Sequence, residues 1–168
     1  LSLLKHPLTA LGYVDRSEAR HLTVELEYDV LRGPRPAPGF DGLRRVLDHK
    51  PALAKLVARL ETAYGPFAAA MTEGVHDLRM LARLHREAAE LLSAFADTTE
   101  QPLWEREAGE AASQLFDALD EAATDIDLTM SGNDYAAFIR TVMDTLPVRP
   151  NVGQHERLSI LGPLEVRL

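Results

Sequence analysis

Apolar residues recur three and four positions apart along most of this chain, and each run stops at a proline or glycine. Ala19, Leu22, Leu26 and Val30 share one helical face. Ser17 stands where an N-cap belongs, and Gly33 ends the run. "GPRPAPG" from Gly33 to Gly39 is a rigid loop, because three prolines so close together preclude helix. A second helical region starts near Asp41 and is broken at Pro51. The helix after it places Leu53, Leu56, Val57, Leu60 and Tyr64 on one face, with Gly65-Pro66 as its predicted end and "FAAAM" as a short turn. A long helix is predicted from about Val75 to Phe95, with Leu81, Leu84, Ala88, Leu91 and Phe95 as its stripe. Another runs from about Pro102 to Thr124, with Pro102 in its first turn and Trp104, Ala108, Ala111, Leu115, Leu119 and Ala122 on one face. "DIDLTMSGN" reads as a linker whose Ser131 or Asn133 caps a last helix. That helix carries Tyr135, Phe138, Ile139, Val142 and Leu146 and stops at Pro147.

The final stretch changes period. Leu158, Ile160 and Leu161 precede a Gly162-Pro163 break, and Leu164, Val166 and Leu168 then alternate with Glu165 and Arg167. Such alternation predicts a strand with one buried face. Each helix has a single apolar stripe, so the helices must bury their stripes against one another. The expected fold is therefore mainly α: a helical bundle over residues 1–156, with a short C-terminal β-strand or hairpin over 157–168. Burying each large stripe residue contributes about 2 kcal/mol before chain entropy is subtracted.

Composition narrows the picture. A chain of 168 residues supports a real core. Its net charge of −8 argues against a general phosphate-binding surface, since nucleic-acid affinity comes largely from Lys and Arg. Any DNA contact must then be a local patch. The lack of cysteine excludes disulfides and thiolate metal sites and makes a cytoplasmic location the default expectation. No apolar run approaches the roughly 18 residues of a membrane span. The first residues, "LSLLKHPLTALG", lack the layout of a signal peptide and a starting Met, which suggests a piece of a longer protein or a processed chain.

The familiar catalytic constellations are missing: no GxxxxGK[ST], no GxSxG, no cysteine nucleophile and no HExxH. No catalytic residue, metal ligand or cofactor is assigned. His85, beside the Leu81/Ala88 stripe, reads as a histidine at the border of a helix interface. Glu87, Glu90, Asp117, Asp120 and Glu121 lie amid arginines and read as solvated helix surface. Trp104 and the stripe from Tyr135 to Leu146 read as core. One basic group stands out: Arg32, Arg35, Arg44 and Arg45 gather around the proline-rich loop. They are the candidate DNA-binding residues; otherwise they pair with acids elsewhere in the fold.

"LLKHPLTALG", "LRGPRPAPGF" followed by "GL", "LWEREAGEAA" and above all "RLSILGPLEVRL" resemble, in the same order, successive blocks of the AddB family, closest to its alphaproteobacterial type. The stretch from Leu43 to Phe95 is similar only in character, and Val166 stands where that family tends to have Ala. AddB proteins are subunits of bacterial helicase–nucleases that process double-strand DNA breaks. The resemblance implies that residues 1–156 form a helicase insertion-type domain, and that 157–168 re-enter a RecA-like domain lying outside this sequence. It implies a non-catalytic segment of an ATP-dependent helicase/exonuclease subunit, with an AddA-like helicase–nuclease subunit and duplex or single-stranded DNA as partners of the parent, and no membrane. The family's phosphate-binding, nuclease and iron–sulfur residues would lie outside these 168 positions. A self-contained helical protein-interaction module unrelated to DNA is the alternative.

Overall fold

A computed structural model describes residues 1–98, 102–125 and 127–148. The first regular helix, α1 (Arg16–Leu26), begins where the carboxylate of Asp15 accepts from the backbone N–H of Ser17. The cap is thus Asp15, two residues before the serine that the sequence suggested, and Ser17 lies inside the first turn. The helix widens into a π-turn over Glu27–Leu31, closed by the N–H of Arg32 on the carbonyl of Glu27. Ala19, Leu22, Leu26 and Val30 are all buried, as their spacing predicts.

The proline-rich loop leads into α2 (Gly39–Val46), and α3 (Pro51–Thr72) starts with Pro51 in its first turn. The predicted stop at Gly65-Pro66 does not occur; α3 continues through Pro66 to Thr72. A proline inside a helix removes one backbone hydrogen bond and costs about 3 kcal/mol. Beyond it, Phe67 and Ala70 are buried against the next helix, and that burial outweighs the lost bond.

Residues 75–77, predicted as the start of the fourth helix, form strand β1 (Val75–Asp77), and α4 (Leu78–Ser93) follows at once. After a 3₁₀ turn at Pro102–Trp104, α5 (Arg106–Asp125) leads to strand β2 (Thr129–Ser131) within the predicted linker, and α6 (Gly132–Asp144) comes next. The two strands are antiparallel, with Val75 opposite Ser131 and Asp77 opposite Thr129. Each strand ends in the residue that caps the following helix. The Asp77 carboxylate accepts from the N–H of Met80, and the Ser131 hydroxyl accepts from the N–H of Asp134. The small sheet therefore starts α4 and α6 from its opposite ends, α4 after Asp77 and α6 after Ser131. Gly132 is required there, since a Cβ on it would fall 2.0 Å from the carbonyl oxygen of Met71.

Two apolar clusters result. In the first, the N-terminal strap, α1, Leu47 and the start of α3 enclose Leu53, Leu56 and Val57, with Leu92 reaching in from the end of α4. In the second, the end of α3, the start of α4, α5 and α6 enclose Leu81, Phe116, Tyr135 and Ile139. α3 and α4 are thus an antiparallel pair with one core at each end. The strap is tied to the end of α4 by the N–H groups of Ala10 and Leu11 on the Leu92 carbonyl and by a short bridge between Tyr13 and Phe95. Arg59 donates to the carbonyl of Leu11 (2.8 Å) and lies over the Tyr13 ring. The fold is mainly helical, with one short antiparallel sheet among the described residues. The strand expected over 157–168 lies outside the described residues.

Candidate functional site

The four arginines expected to face DNA do not act alike. Arg32 stacks on Tyr28, its guanidinium carbon 4.0 Å from the ring centre, and faces Glu27 at 3.4 Å. Arg44 is held between Asp41 and Glu61, and those carboxylates, Asp41 foremost, raise its pKa further. Arg35 and Arg45 are exposed and have no ion-pair partner among the described residues. The loop therefore offers two uncompensated cations. Of the other two, Arg32 is held by the π-turn that precedes the loop, and Arg44 ties α2 to α3.

His85 sits deeper than its border position on the stripe suggested. Its ring stacks on Phe67 at 4.8 Å between centres and meets Phe116 and Tyr135 edge-on. Its Nδ1 is 3.1 Å from the Tyr135 hydroxyl. Burial lowers the His85 pKa and raises that of Tyr135. A neutral ring and a protonated phenol follow, which suits a hydrogen bond inside an aromatic cluster. Two clefts reach this ring. One, of about 240 Å³, opens toward the strap past Leu8 and Leu92, and the other, of about 450 Å³, runs along α6 past Ile139 and Arg140. The cluster has an acceptor–donor pair and no nucleophile, and His85 is its one titrating base.

The acidic residues of α4 and α5 are engaged by arginines, as expected of a helix surface. Arg79 binds Asp120, Arg83 binds Glu87, and Arg86 bridges Glu90 and Asp117. Arg79 holds the Asp120 carboxyl below its ordinary range. Glu90 is less exposed than its sequence context suggests, because it also accepts from the indole N–H of Trp104 at 3.0 Å. Among the described residues, no three His, Asp or Glu side chains are placed to hold a metal ion, and no helix is long and apolar enough to cross a membrane.

Sequence reasoning found the histidine and the loop arginines but not their partners. Glu61 is 17 residues from Arg44, and Tyr135 is 50 from His85. It also passed over the strap and the first turn of α1, where Lys5, His6, Arg16 and Arg20 converge on one cavity; a scattered set from two segments has no motif to announce it. No protein-family model, no curated protein and no solved structure gives a significant match to this chain.

Proposed function

We propose that this chain is a non-catalytic helical segment of an AddB-like subunit, whose parent processes double-strand DNA breaks for recombinational repair. The observation that carries the reading is the ordered series of sequence blocks from "LLKHPLTALG" to "RLSILGPLEVRL". Three of those blocks fall at positions with strict backbone demands. Gly12 ends the first in a left-handed conformation (φ +66). The "GL" after the proline-rich loop contains Gly42, where a Cβ would strike the Ala37 carbonyl, and Gly109 in "LWEREAGEAA" packs on the carbonyl of Leu103. Such demands restrict these positions to glycine. A mainly helical body is also what an insertion-type domain requires.

In this reading the segment shapes a DNA channel or contacts the partner subunit, and ATP and phosphodiester chemistry belong to the parent. The test is to express the natural gene carrying this segment together with an AddA-like subunit. Co-purification and ATP-dependent shortening of linear duplex support the reading. A gene product that neither binds such a subunit nor acts on DNA ends overturns it. The 168-residue chain alone should show neither ATPase nor nuclease activity. One observation favours the rival, a self-contained protein-interaction module: the net charge of −8, with Arg32 and Arg44 already matched by acids.

A further inference from the structure

A cavity of about 280 Å³ lies between the N-terminal strap and the first turn of α1. Lys5, His6, Arg16 and Arg20 line it together with Ser17 and Thr9, and no carboxylate does. The cleft between α4 and α5 is the contrast. There Arg79, Arg83 and Arg86 share the walls with Asp117, Asp120 and Glu121, so the charges cancel within the cleft.

The donors of the strap cavity can be assigned one by one. The N–H of Leu8 donates to Nδ1 of His6, so the ring's own N–H lies on Nε2. The Arg16 guanidinium is fixed over the Phe95 ring at 4.7 Å. Its Nε is shut off from solvent and has no acceptor among the described residues, which is costly for a charged donor. Arg20 is exposed and has no ion-pair partner among the described residues. Ser17 and Thr9 contribute no free donor, since their hydroxyls are given to Asp15 and to the Leu3 carbonyl. Two carboxylates bear on the cavity from outside its walls: Glu27 holds Lys5 at 2.5 Å, and Asp15 holds Ser17. Lys5, Arg16 and Arg20 face these two acids, and Glu27 is shared with Arg32, so the cavity keeps at least one net positive charge, with the His6 N–H in addition. That balance suits a group with about one negative charge and several acceptor oxygens. A phosphate group has this character, and forked guanidinium donors match it best.

We infer that Lys5, His6, Arg16 and Arg20 form a phosphate-binding pocket, which takes a phosphodiester of a nucleic-acid backbone or a free phosphate. The pocket stands on its own geometry and does not require the break-repair reading. It is also distinct from the proline-rich loop.

Two titrations of the whole chain test it. Inorganic phosphate is followed through the ¹⁵N signals of the arginine side chains, and a labelled single-stranded oligonucleotide is followed by fluorescence anisotropy across a salt series. The guanidinium signals of Arg16 and Arg20 should move with phosphate. Arg20→Gln and Lys5→Gln, both at exposed positions, should each weaken phosphate binding about tenfold or more. If the source is a nucleic-acid backbone, oligonucleotide affinity falls in parallel and the salt slope drops by about one, while an Arg35→Gln/Arg45→Gln variant retains both. If phosphate binding falls in the pocket variants while oligonucleotide binding does not, the source is free phosphate. No response of Arg16 to millimolar phosphate, together with oligonucleotide binding unchanged in both pocket variants, overturns the inference. Circular dichroism of each variant separates lost binding from lost folding.

Discussion

The buried histidine makes stability depend on pH in a window of its own. Stacked on Phe67 and bonded to Tyr135, His85 is held neutral in the folded chain, and burial places its pKa below the ordinary 6.5. The unfolded chain binds a proton at about pH 6.5, whereas the folded chain waits for a lower pH. Between those two values the unfolded state carries one more proton, so stability falls as pH falls. The slope is up to about 1.4 kcal/mol per pH unit for one proton. The loss starts near pH 6.5 and levels off once the folded chain also takes the proton. Carboxylates held low by their partners, such as Asp15 with Ser17 and Glu27 with Lys5, act in a lower range, because their ordinary values are 3.8 and 4.5. The rings that meet His85 from other elements are Phe67 on α3, Phe116 on α5 and Tyr135 on α6, while Tyr64 on α3 lines the strap-side cleft. Arg140 and Asp144 line the cleft on the α6 side, and His6 the cleft on the strap side. Urea unfolding at pH values from about 5 to 8 measures the effect, with His85→Gln as the comparison. Gln keeps a polar partner for the Tyr135 hydroxyl and does not titrate, so the variant should be less stable but flatter with pH. Parallel profiles for the two proteins between about pH 5 and 6.5 would refute the reasoning.

Three further outcomes follow from the packing. Leu81→Ala removes a fully buried side chain at the centre of the second cluster and should cost about 3–5 kcal/mol in chemical unfolding. Gly132→Ala drives a methyl group into the backbone of Met71 and should destabilise by about 1–3 kcal/mol or more, with β1–β2 pairing perturbed in amide chemical shifts. Pro66→Ala should stabilise by about 1–2 kcal/mol in urea unfolding, because restoring the helical hydrogen bond exceeds the gain in unfolded-chain entropy; a fall in stability would show that the proline fits its helix without cost.

The helical stripes were legible because burial on one face of a helix writes itself at a period of 3.6. Ala19 to Val30 and Leu53 to Val57 are examples. Where the face drifts, the sequence misleads by a residue: Leu92 is buried and Leu91 is exposed. In α5 the burial falls on Gly109, Leu115, Phe116 and Leu119 rather than on Ala108 and Ala122. Strands of three residues are too short to show a period of two, so in the sequence β1 merges with the helix after it and β2 with the linker. Pro66 predicts a stop on local propensity alone, and the burial of Phe67 and Ala70 beyond it is tertiary and leaves no local mark. The loop arginines were visible as a cluster, and Asp41 stands three residues before Arg44, but Glu61 reaches Arg44 from α3 and no local pattern records that. His85 was visible beside its stripe, whereas its three aromatic neighbours come from three other helices.

The antiparallel pair of α3 and α4 has a consequence for the order in which the chain assembles. Only residues 73–77 separate the two helices, so closing this pair costs little loop entropy and its contacts are local. The elements at its two ends are more distant in sequence. The strap and α1 must find the end of α4 across most of the N-terminal half, and α6 must return to the end of α3 from beyond α5. The pair is therefore the element expected to form first, with the two cores docking onto it from opposite ends. Neither docking step needs the other's residues, apart from Tyr64, which touches both clusters. Folding on such a frame has two parallel routes, and a mutation that slows one end leaves the other route open.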